Sequence, residues 1–333
     1  MAVTALSAGW FRILLRLVVA TGLAGYVLWK SDPRTVLAAA AGAEWRPMAV
    51  AVLLVLVDRF LMAYRWVALL GIVDEPERPR LGVLMRIFFV SSFLGTFLPA
   101  SVGGDAVRAY SLARLKVGVG DAVASVFMDR MLGVAALLLL ALGGLMLARD
   151  LAGNATIVAA LAVAAAVCLV TLLLIFSQRA ATLAARLVAH LPDALQRVGQ
   201  PVLASVRRYA AYRHQLTNVL IGSLLVQLLR ITQAYCLGLG LGISSSLTTY
   251  MLVIPLILLV MLLPVTFNGI GTSQAAFVWF FGRAGVSAAA AFALSVLFVA
   301  LGIVGNLPGG ILYVMGRRRE SGDVAARALH PGQ

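Results

Sequence analysis

Long apolar runs separated by short polar segments dominate the pattern of this chain. A run of roughly 20 apolar residues is long enough to cross a bilayer as an α-helix. Residues 231–282 contain no Lys, Arg, Asp, Glu or His at all. The pattern therefore predicts an all-α polytopic membrane protein. Full spans are expected at about 11–30, 46–70, 121–148, 154–176, 217–240 and 286–315.

Two further apolar runs are broken by proline and glycine. The first break, at 98–108, follows a short apolar helix at 82–98, and the second lies at 263–274. Non-helical backbone is tolerated in a bilayer only where protein or a polar cavity satisfies its N–H and C=O groups. Each break is therefore expected to form a re-entrant helical hairpin. The alternative is that 82–98 crosses the membrane completely.

The order of these segments indicates two repeats. The units at about 46–148 and 217–315 share the order span, re-entrant hairpin, span, and the charges of their loops indicate opposite topology. An inverted repeat of this kind is typical of secondary transporters. We expect a single transmembrane domain over 1–316, with about six full spans and two re-entrant hairpins.

The net charge of +14 changes the picture less than it would in a soluble domain, where it would suggest nucleic acid. Arginines gather in the cytoplasmic loops of membrane proteins. Residues 177–215 contain six arginines and one acid, and their apolar positions recur at helical spacing. Amphipathic cytoplasmic helices, broken near Pro192 and Pro201, are expected there. The basic tail, 317–333, is expected to be disordered and cytoplasmic, in a multi-pass protein of the cell inner (plasma) membrane.

The two breaks also carry the candidate binding chemistry. A helix that begins inside a membrane directs unpaired N–H groups at an anion, and the fork of Arg108 can bind phosphate through two oxygens. Thr272 or Ser273 could cap the second short helix. Alternatively, the glycines and prolines only shape tight turns. The predicted substrate-binding residues are Pro99, Gly103, Gly104, Asp105, Arg108, Asn268, Gly269, Gly271, Ser273 and Gln274.

Charges inside the spans form a second candidate group. Two adjacent pairs, Asp58-Arg59 and Asp129-Arg130, lie within predicted helices, and Arg230 lies in another. Neighbours on a helix point about 100° apart, so we expect cross-pairs of Asp58 with Arg130 and of Asp129 with Arg59. These pairs could neutralise one another structurally or act in gating or proton coupling. Arg230 could line the cavity or extend to the interface.

The first break resembles a flippase-like family that includes the membrane domain of lysylphosphatidylglycerol synthases. Its pattern is Pro99, then Gly103-Gly104-Asp105, then Arg108. Asp129-Arg130, the second break and the closing segment 307–310 also resemble that family. The family usually has Arg-Glu after the second glycines, where this chain has Ser273-Gln274. An acid able to carry a proton or pair with a cation is therefore missing, which counts against a cationic lipid.

The resemblance implies a translocase that moves lipids between leaflets, and the chemistry of the two breaks favours a lipid with a polar, anionic headgroup. No synthase domain is recognised, so the chain is not expected to be an enzyme. Two alternatives remain: an enzyme acting on a lipid phosphate through Asp105 or Asp129, and a scaffold for a lipid or glycolipid synthase. The expected partner is a membrane lipid, with a homo-oligomer or a synthase as further possibilities. No nucleic acid or cofactor is expected. No metal is expected either, because His190, His214 and His330 are scattered along the chain.

Overall fold

The computed structural model describes residues 41–72, 79–98, 103–115, 117–147, 155–190, 192–262 and 271–329, with Tyr26, Trp29 and Arg34. Within these residues the chain forms eleven α-helices and no β-strand. The predicted span at about 11–30 falls outside these ranges, apart from Tyr26 and Trp29.

The first four helices form what we call the first half. They are α1 (Trp45–Leu69), which continues into a 3₁₀ turn (Leu70–Ile72), α2 (Leu81–Phe97), α3 (Gly103–Ala113) and α4 (Val119–Leu147). α1 starts two residues before Pro47, so this proline lies in the first turn of the helix. Backbone N–H groups have no partner within the helix there, and the missing N–H of proline therefore costs no hydrogen bond. α2 and α3 lie against each other on either side of the first break. Together they form a helical hairpin.

Three helices connect the halves: α5 (Ala155–Phe176), α6 (Gln178–Ala189) and α7 (Asp193–Ala211). The predicted break near Pro192 is confirmed, because Pro192 is the N-cap of α7. The predicted break at Pro201 is wrong, since Pro201 lies inside α7. α7 packs closely on α4 there: a Cβ added to Gly120 would lie 2.6 Å from the Pro201 carbonyl oxygen. That contact holds the helix together across the proline.

Beyond Pro201, α7 is held to α4 by a polar and an apolar contact. Arg208 forms an ion pair with Asp121 at the start of α4. The next residue, Tyr209, is fully buried among apolar neighbours from α1, α4 and α8. Burial raises the pKa of the Tyr209 phenol, with a smaller contribution from Asp121, so the phenol stays neutral at physiological pH.

The second half repeats the helix order of the first. It contains α8 (Arg213–Gly240), α9 (Leu247–Met261), α10 (Thr272–Arg283) and α11 (Ala288–Leu329). The prediction of a disordered tail from 317 is wrong up to Leu329, because α11 continues through it. Its last described residues, Ala325 to Leu329, are good helix formers.

Among the described residues, four helices are long and apolar enough to cross a bilayer: α1 with its 3₁₀ turn, α4, α8, and α11 as far as Met315. They coincide with four of the predicted spans, and α5 coincides with a fifth. α2 has 17 residues and α9 has 15. At 1.5 Å per residue they reach about 26 Å and about 22 Å, which is less than the roughly 30 Å of a hydrocarbon core.

Helices of each half pack against helices of the other half. α1 packs along α8, α4 of the first half packs on α9 of the second, and α11 of the second half packs on α2 of the first. Glycine permits the last two contacts. A Cβ at Gly144 would lie 2.7 Å from the backbone of Leu252, and a Cβ at Gly309 would overlap the carbonyl of Phe89. Small residues at such crossings are typical of helices packed in membranes.

Candidate functional site

Five charged side chains of the first half form a buried charge cluster. Arg65 on α1 donates through Nε to Asp129 Oδ1 on α4 at 2.8 Å. Arg108 on α3 donates through Nη2 to Asp105 Oδ1 at 2.9 Å and to Asp129 Oδ2 at 3.4 Å. Arg130 donates through Nε to Asp105 Oδ2 at 2.5 Å. The cluster therefore joins three helices through charge-assisted hydrogen bonds.

Arg108 is the most enclosed cation of this cluster, with 4% of its surface exposed. Its guanidinium carbon lies 5.0 Å from the ring centroid of Trp66 and 5.4 Å from that of Phe88. Aromatic faces attract a cation, and the attraction strengthens when water is excluded. The two carboxylates and the two rings offset part of the cost of removing this charge from water.

Close packing of α3 on α2 brings Arg108 to this position. A Cβ added to Gly104 would lie 2.9 Å from the carbonyl oxygen of Ser91, and one at Gly95 would lie 2.8 Å from the Gly104 Cα. α3 can therefore lie directly against α2 only because both positions are glycine. One turn further along α3, Arg108 reaches the interior between α1 and α4.

A second charged group lies between the halves. Arg230 Nε on α8 and Arg59 Nη1 lie 3.4 Å and 3.7 Å from the two oxygens of Asp58. Both arginines also approach the sulfur of Met62, at 3.0 Å and 3.3 Å. Arg59 donates to the carbonyl of Gly302 on α11 at 3.4 Å. Both distances to Asp58 exceed the shortest carboxylate contact that each arginine of the buried charge cluster makes, which is 2.9 Å or less. Thioether sulfur is a weak acceptor.

The predicted cross-pairs of Asp58 with Arg130 and of Asp129 with Arg59 are wrong. Arg65 lies seven residues after Asp58, two turns along the same face of α1, and it takes the place opposite Asp129. Arg59 points instead toward α11. The pairs do bridge helices as expected, with different partners.

Both charged groups line a cavity with two connected parts. The main chamber, of about 320 Å³, lies among α1, α2, α3, α4, α8, α9 and α11. The side chamber, of about 200 Å³, lies among α1, α2, α8, α9 and α11. The two share six wall residues: Arg59, Thr96, Arg230, Leu258, Met261 and Asn306.

The described walls carry more positive than negative charge. Five guanidinium groups face three carboxylates, which leaves an excess of two positive charges: Arg59, Arg65, Arg108, Arg130 and Arg230 against Asp58, Asp105 and Asp129. Excess charge surrounded by apolar helices is costly unless a counter-ion or water reaches it. The cavity is therefore suited to an anion.

The structure separates the predicted binding residues into three sets. Gly104, Asp105 and Arg108 of the first break lie in the wall of the main chamber. Gly103 lies outside that wall and packs on the side chain of Leu98. Pro99, Asn268 and Gly269 lie outside the described residues.

The described residues of the second break do not line either chamber. Gly271, with φ +87°, is the N-cap of α10, so the prediction of Thr272 or Ser273 as the cap is wrong. Gln274 accepts hydrogen bonds at Oε1 from the Gly271 N–H at 2.6 Å and the Ser273 hydroxyl at 3.0 Å. Ser273 and Gln274 are buried and bind their own helix terminus.

Several wall residues were not among the predicted site residues. Arg65 is one of them, and its position two helical turns after Asp58 could have identified it from the sequence as a residue on the same face of α1. Gln227, Asn306 and Thr96 are others, and nothing in their local sequence marks them as cavity residues. Asn306 donates from Nδ2 to Thr96 Oγ1 at 2.8 Å, which joins α11 to α2. They line the cavity because helices of the two halves pack against each other.

An apolar helical bundle around a charged cavity defines this protein as an integral membrane protein with a polar interior site. A family model described as the lysylphosphatidylglycerol synthase TM region matches residues 13–309. The chain belongs to this family, as its motifs predicted, and its function is related to membrane lipids. Searches of curated proteins and of solved structures found no match.

Proposed function

We propose that this protein is a membrane lipid translocase, in which the cavity takes the polar headgroup while the acyl chains stay in the bilayer. The observation that carries the proposal is the cavity's excess of two positive charges inside an apolar bundle. Membership of a family named for lysylphosphatidylglycerol synthase supports a lipid as the cargo. The charge excess favours an anionic headgroup.

The arrangement of the halves supports alternating access. The four helices of each half occur in the same order, and each half packs its long fourth helix on the short second helix of the other. This reciprocity is what an inverted repeat produces. The short α2 and α9 would then be the re-entrant limbs, and rocking of one half against the other would expose the cavity to each leaflet in turn.

Transport fits the carboxylates better than catalysis does. Asp105 accepts hydrogen bonds from two arginines, and so does Asp129. Each of these carboxylates is already engaged by two guanidinium groups, so neither is free to attack or deprotonate a lipid phosphate group. The proposed role of the buried charge cluster is to hold a positive wall in a fixed position, so the protein would act without chemical change to its lipid.

The test is leaflet exchange of fluorescent phospholipids in proteoliposomes. We expect wild type to exchange phosphatidylglycerol faster than protein-free vesicles, and Arg108→Ala to lose most of the increase. Arg86→Ala is the matched control, because Arg86 is exposed on α2 and outside both chambers. Arg108→Lys keeps the charge without the fork and should recover part of the rate.

Three results would contradict the proposal. Absence of exchange for anionic, zwitterionic and aminoacylated lipids, with and without a proton gradient, would favour a scaffold. A chemically altered lipid recovered from the vesicles would favour an enzyme. If Arg108→Ala exchanged lipid as fast as wild type, lipid transport would not depend on this cavity.

A further inference from the structure

We propose that the lipid phosphate binds between Arg59 and Arg230, at the wall shared by the two chambers, and that Asp58 competes with it for these two cations. The inference rests on the proposed function and deepens it, because it assigns a phosphate site and a class of headgroup. It also moves the phosphate away from Arg108, which the sequence favoured.

The first argument is how tightly each arginine is already held. In the buried charge cluster, Arg65, Arg108 and Arg130 each have a carboxylate oxygen within 2.9 Å. Arg59 and Arg230 reach Asp58 only at 3.7 Å and 3.4 Å, and otherwise contact a thioether and one carbonyl. A phosphate oxygen would therefore displace little from these two arginines and much from the other three.

The second argument is a set of buried polar atoms that have no hydrogen-bond partner. Arg59 Nε and Asp58 Oδ1 are in this state, as is Arg108 Nε in the main chamber, and so are Gln227 Oε1, Gln233 Nε2 and Asn306 Oδ1. Gln227 and Gln233 are each 3% exposed. Gln227 lines the main chamber and Gln233 the side chamber. Unsatisfied buried polar atoms are costly, and a ligand with phosphate oxygens and hydroxyl groups would satisfy them.

The charge balance selects the kind of phosphate. Arg59, Arg230 and Asp58 together carry one positive charge, which the single negative charge of a phosphodiester would neutralise. A phosphomonoester at physiological pH carries nearly two negative charges and would leave an excess. The unpaired amide oxygens of Gln227 and Asn306 could accept from headgroup hydroxyls. We therefore assign the site to a phosphodiester lipid with a hydroxylated headgroup.

The side chamber suits the part of the lipid next to the phosphate. Beside its polar residues it is lined by Val55, Phe298, Val299 and Ile303 of α1 and α11. Ile303 is 41% exposed on the outside of the bundle. This apolar wall provides a path between α1 and α11 along which the glycerol and first acyl carbons would reach the bilayer.

Asp58 gives the site a means of release. When the phosphate is absent, its carboxylate remains as the anion nearest to both arginines, so cations and anion stay balanced in the empty state. When the phosphate is bound, it and Asp58 repel each other. A site that binds its ligand against an internal competitor lets the ligand leave again, as a transport cycle requires.

The experiment measures binding to the purified full-length protein in a zwitterionic detergent. The probes are water-soluble dihexanoyl-phosphatidylglycerol, glycerol 3-phosphate and inorganic phosphate, titrated by microscale thermophoresis. We expect the short-chain lipid to bind most tightly, and Arg59→Gln and Arg230→Gln each to weaken it by about tenfold or more. Arg86→Gln should bind as wild type does.

Asp58→Asn is the decisive variant, because it should tighten binding by about fivefold or more through loss of the competing charge. A purely structural role for Asp58 predicts weaker binding or none. If the single arginine variants do not fold, the charge-balanced pair Asp58→Asn with Arg230→Gln replaces them, and it should bind more weakly than Asp58→Asn alone.

The outcomes separate this inference from the proposed function. Loss of binding in Arg108→Gln but not in Arg59→Gln or Arg230→Gln would overturn the assigned site. Equal affinity for inorganic phosphate and the short-chain lipid would reassign the site to free phosphate. Leaflet exchange by wild type without measurable phosphate binding would overturn the inference and leave the proposed function standing. Phosphate binding without leaflet exchange would overturn the proposed function and leave the assigned phosphate site standing.

Discussion

The helices that follow the two breaks, α3 and α10, hold matching places in the two halves and differ sharply in chemistry. α3 directs Asp105 and Arg108 into the wall of the main chamber. α10 buries Phe277 and Phe281, whose ring centroids lie 5.7 Å apart, in the largest apolar core of the described residues. The same arrangement therefore carries charge in one half and close apolar packing in the other.

This difference teaches that the two halves do not contribute equally to the cavity. The first half supplies seven of the eight charged wall residues, and the second half supplies Arg230. An apolar core resists rearrangement because its side chains interlock, whereas a charged wall can exchange one partner for another. The second half is suited to support, and the first half is suited to binding.

The largest effect should come from removing the anion at the centre of the charged half. Asp129→Asn would leave Arg65 and Arg108 without their shared carboxylate. Breaking a buried ion pair by removing one partner costs about 3–5 kcal/mol. We expect a large fall in the melting temperature of the purified protein, measured by intrinsic fluorescence, together with loss of lipid exchange.

Two variants sharpen that result. Asp121→Asn removes a carboxylate whose partner, Arg208, is 40% exposed, so it should cost much less. Phe281→Ala in the apolar half should cost about 3–5 kcal/mol as well, but the protein that remains folded should keep its affinity for short-chain lipid. Equal stability of Asp129→Asn and wild type would argue against the proposed role of the cluster.

A middle-sized effect is expected where the halves meet. Gly144→Ala would press a methyl group against the Leu252 backbone, and overpacking costs about 1–3 kcal/mol. Gly143→Ala, one residue earlier, has no atom within 4 Å of its new Cβ and should be neutral or slightly stabilising. The measurement is the difference between the melting temperatures of the two variants. If both melted at the same temperature, the close contact of α4 with α9 would be refuted.

The smallest effect is expected at the second break. Gln274→Ala would remove the acceptor for the Gly271 N–H at the start of α10 and should cost about 1 kcal/mol. Gln274→Glu keeps an acceptor there and places a negative charge at a helix N-terminus, where it is favourable. Thermal melting should therefore separate the two variants, and lipid exchange by Gln274→Ala should match wild type. Loss of exchange would return the second break to the binding site.

Sequence reasoning found the helices and the first break because both depend on local signals. Apolar runs of sufficient length predicted α1, α4, α5, α8 and α11, and Pro99 with Gly103-Gly104 marked the hairpin. It also identified Arg108 and Asp129 as important, since charges inside a membrane segment are rare.

The partners of these charges could not be predicted in the same way. Asp129 pairs with Arg65 rather than Arg59 because of how α1 is rotated against α4, and that rotation is set by contacts between the halves. The end of the second break that the structure describes presents a related difficulty. Glycines and polar residues after Pro264 are equally compatible with a ligand site and with a helix that caps itself, and Gln274 does the latter.

The location of the ion pairs along the chain has a consequence for membrane insertion. All five residues of the buried charge cluster lie between positions 65 and 130. A nascent chain can thus pair these intramembrane charges before residue 213, where the second half begins, has left the ribosome. Arg230 is synthesised roughly 100 residues after Arg130. Until then its partner Asp58 has the neighbouring Arg59 as its cation. Arg230 follows Asp58 by 172 residues. At the rate of about 5–20 residues per second at which chains are synthesised, this second cation arrives roughly 9–34 seconds after Asp58.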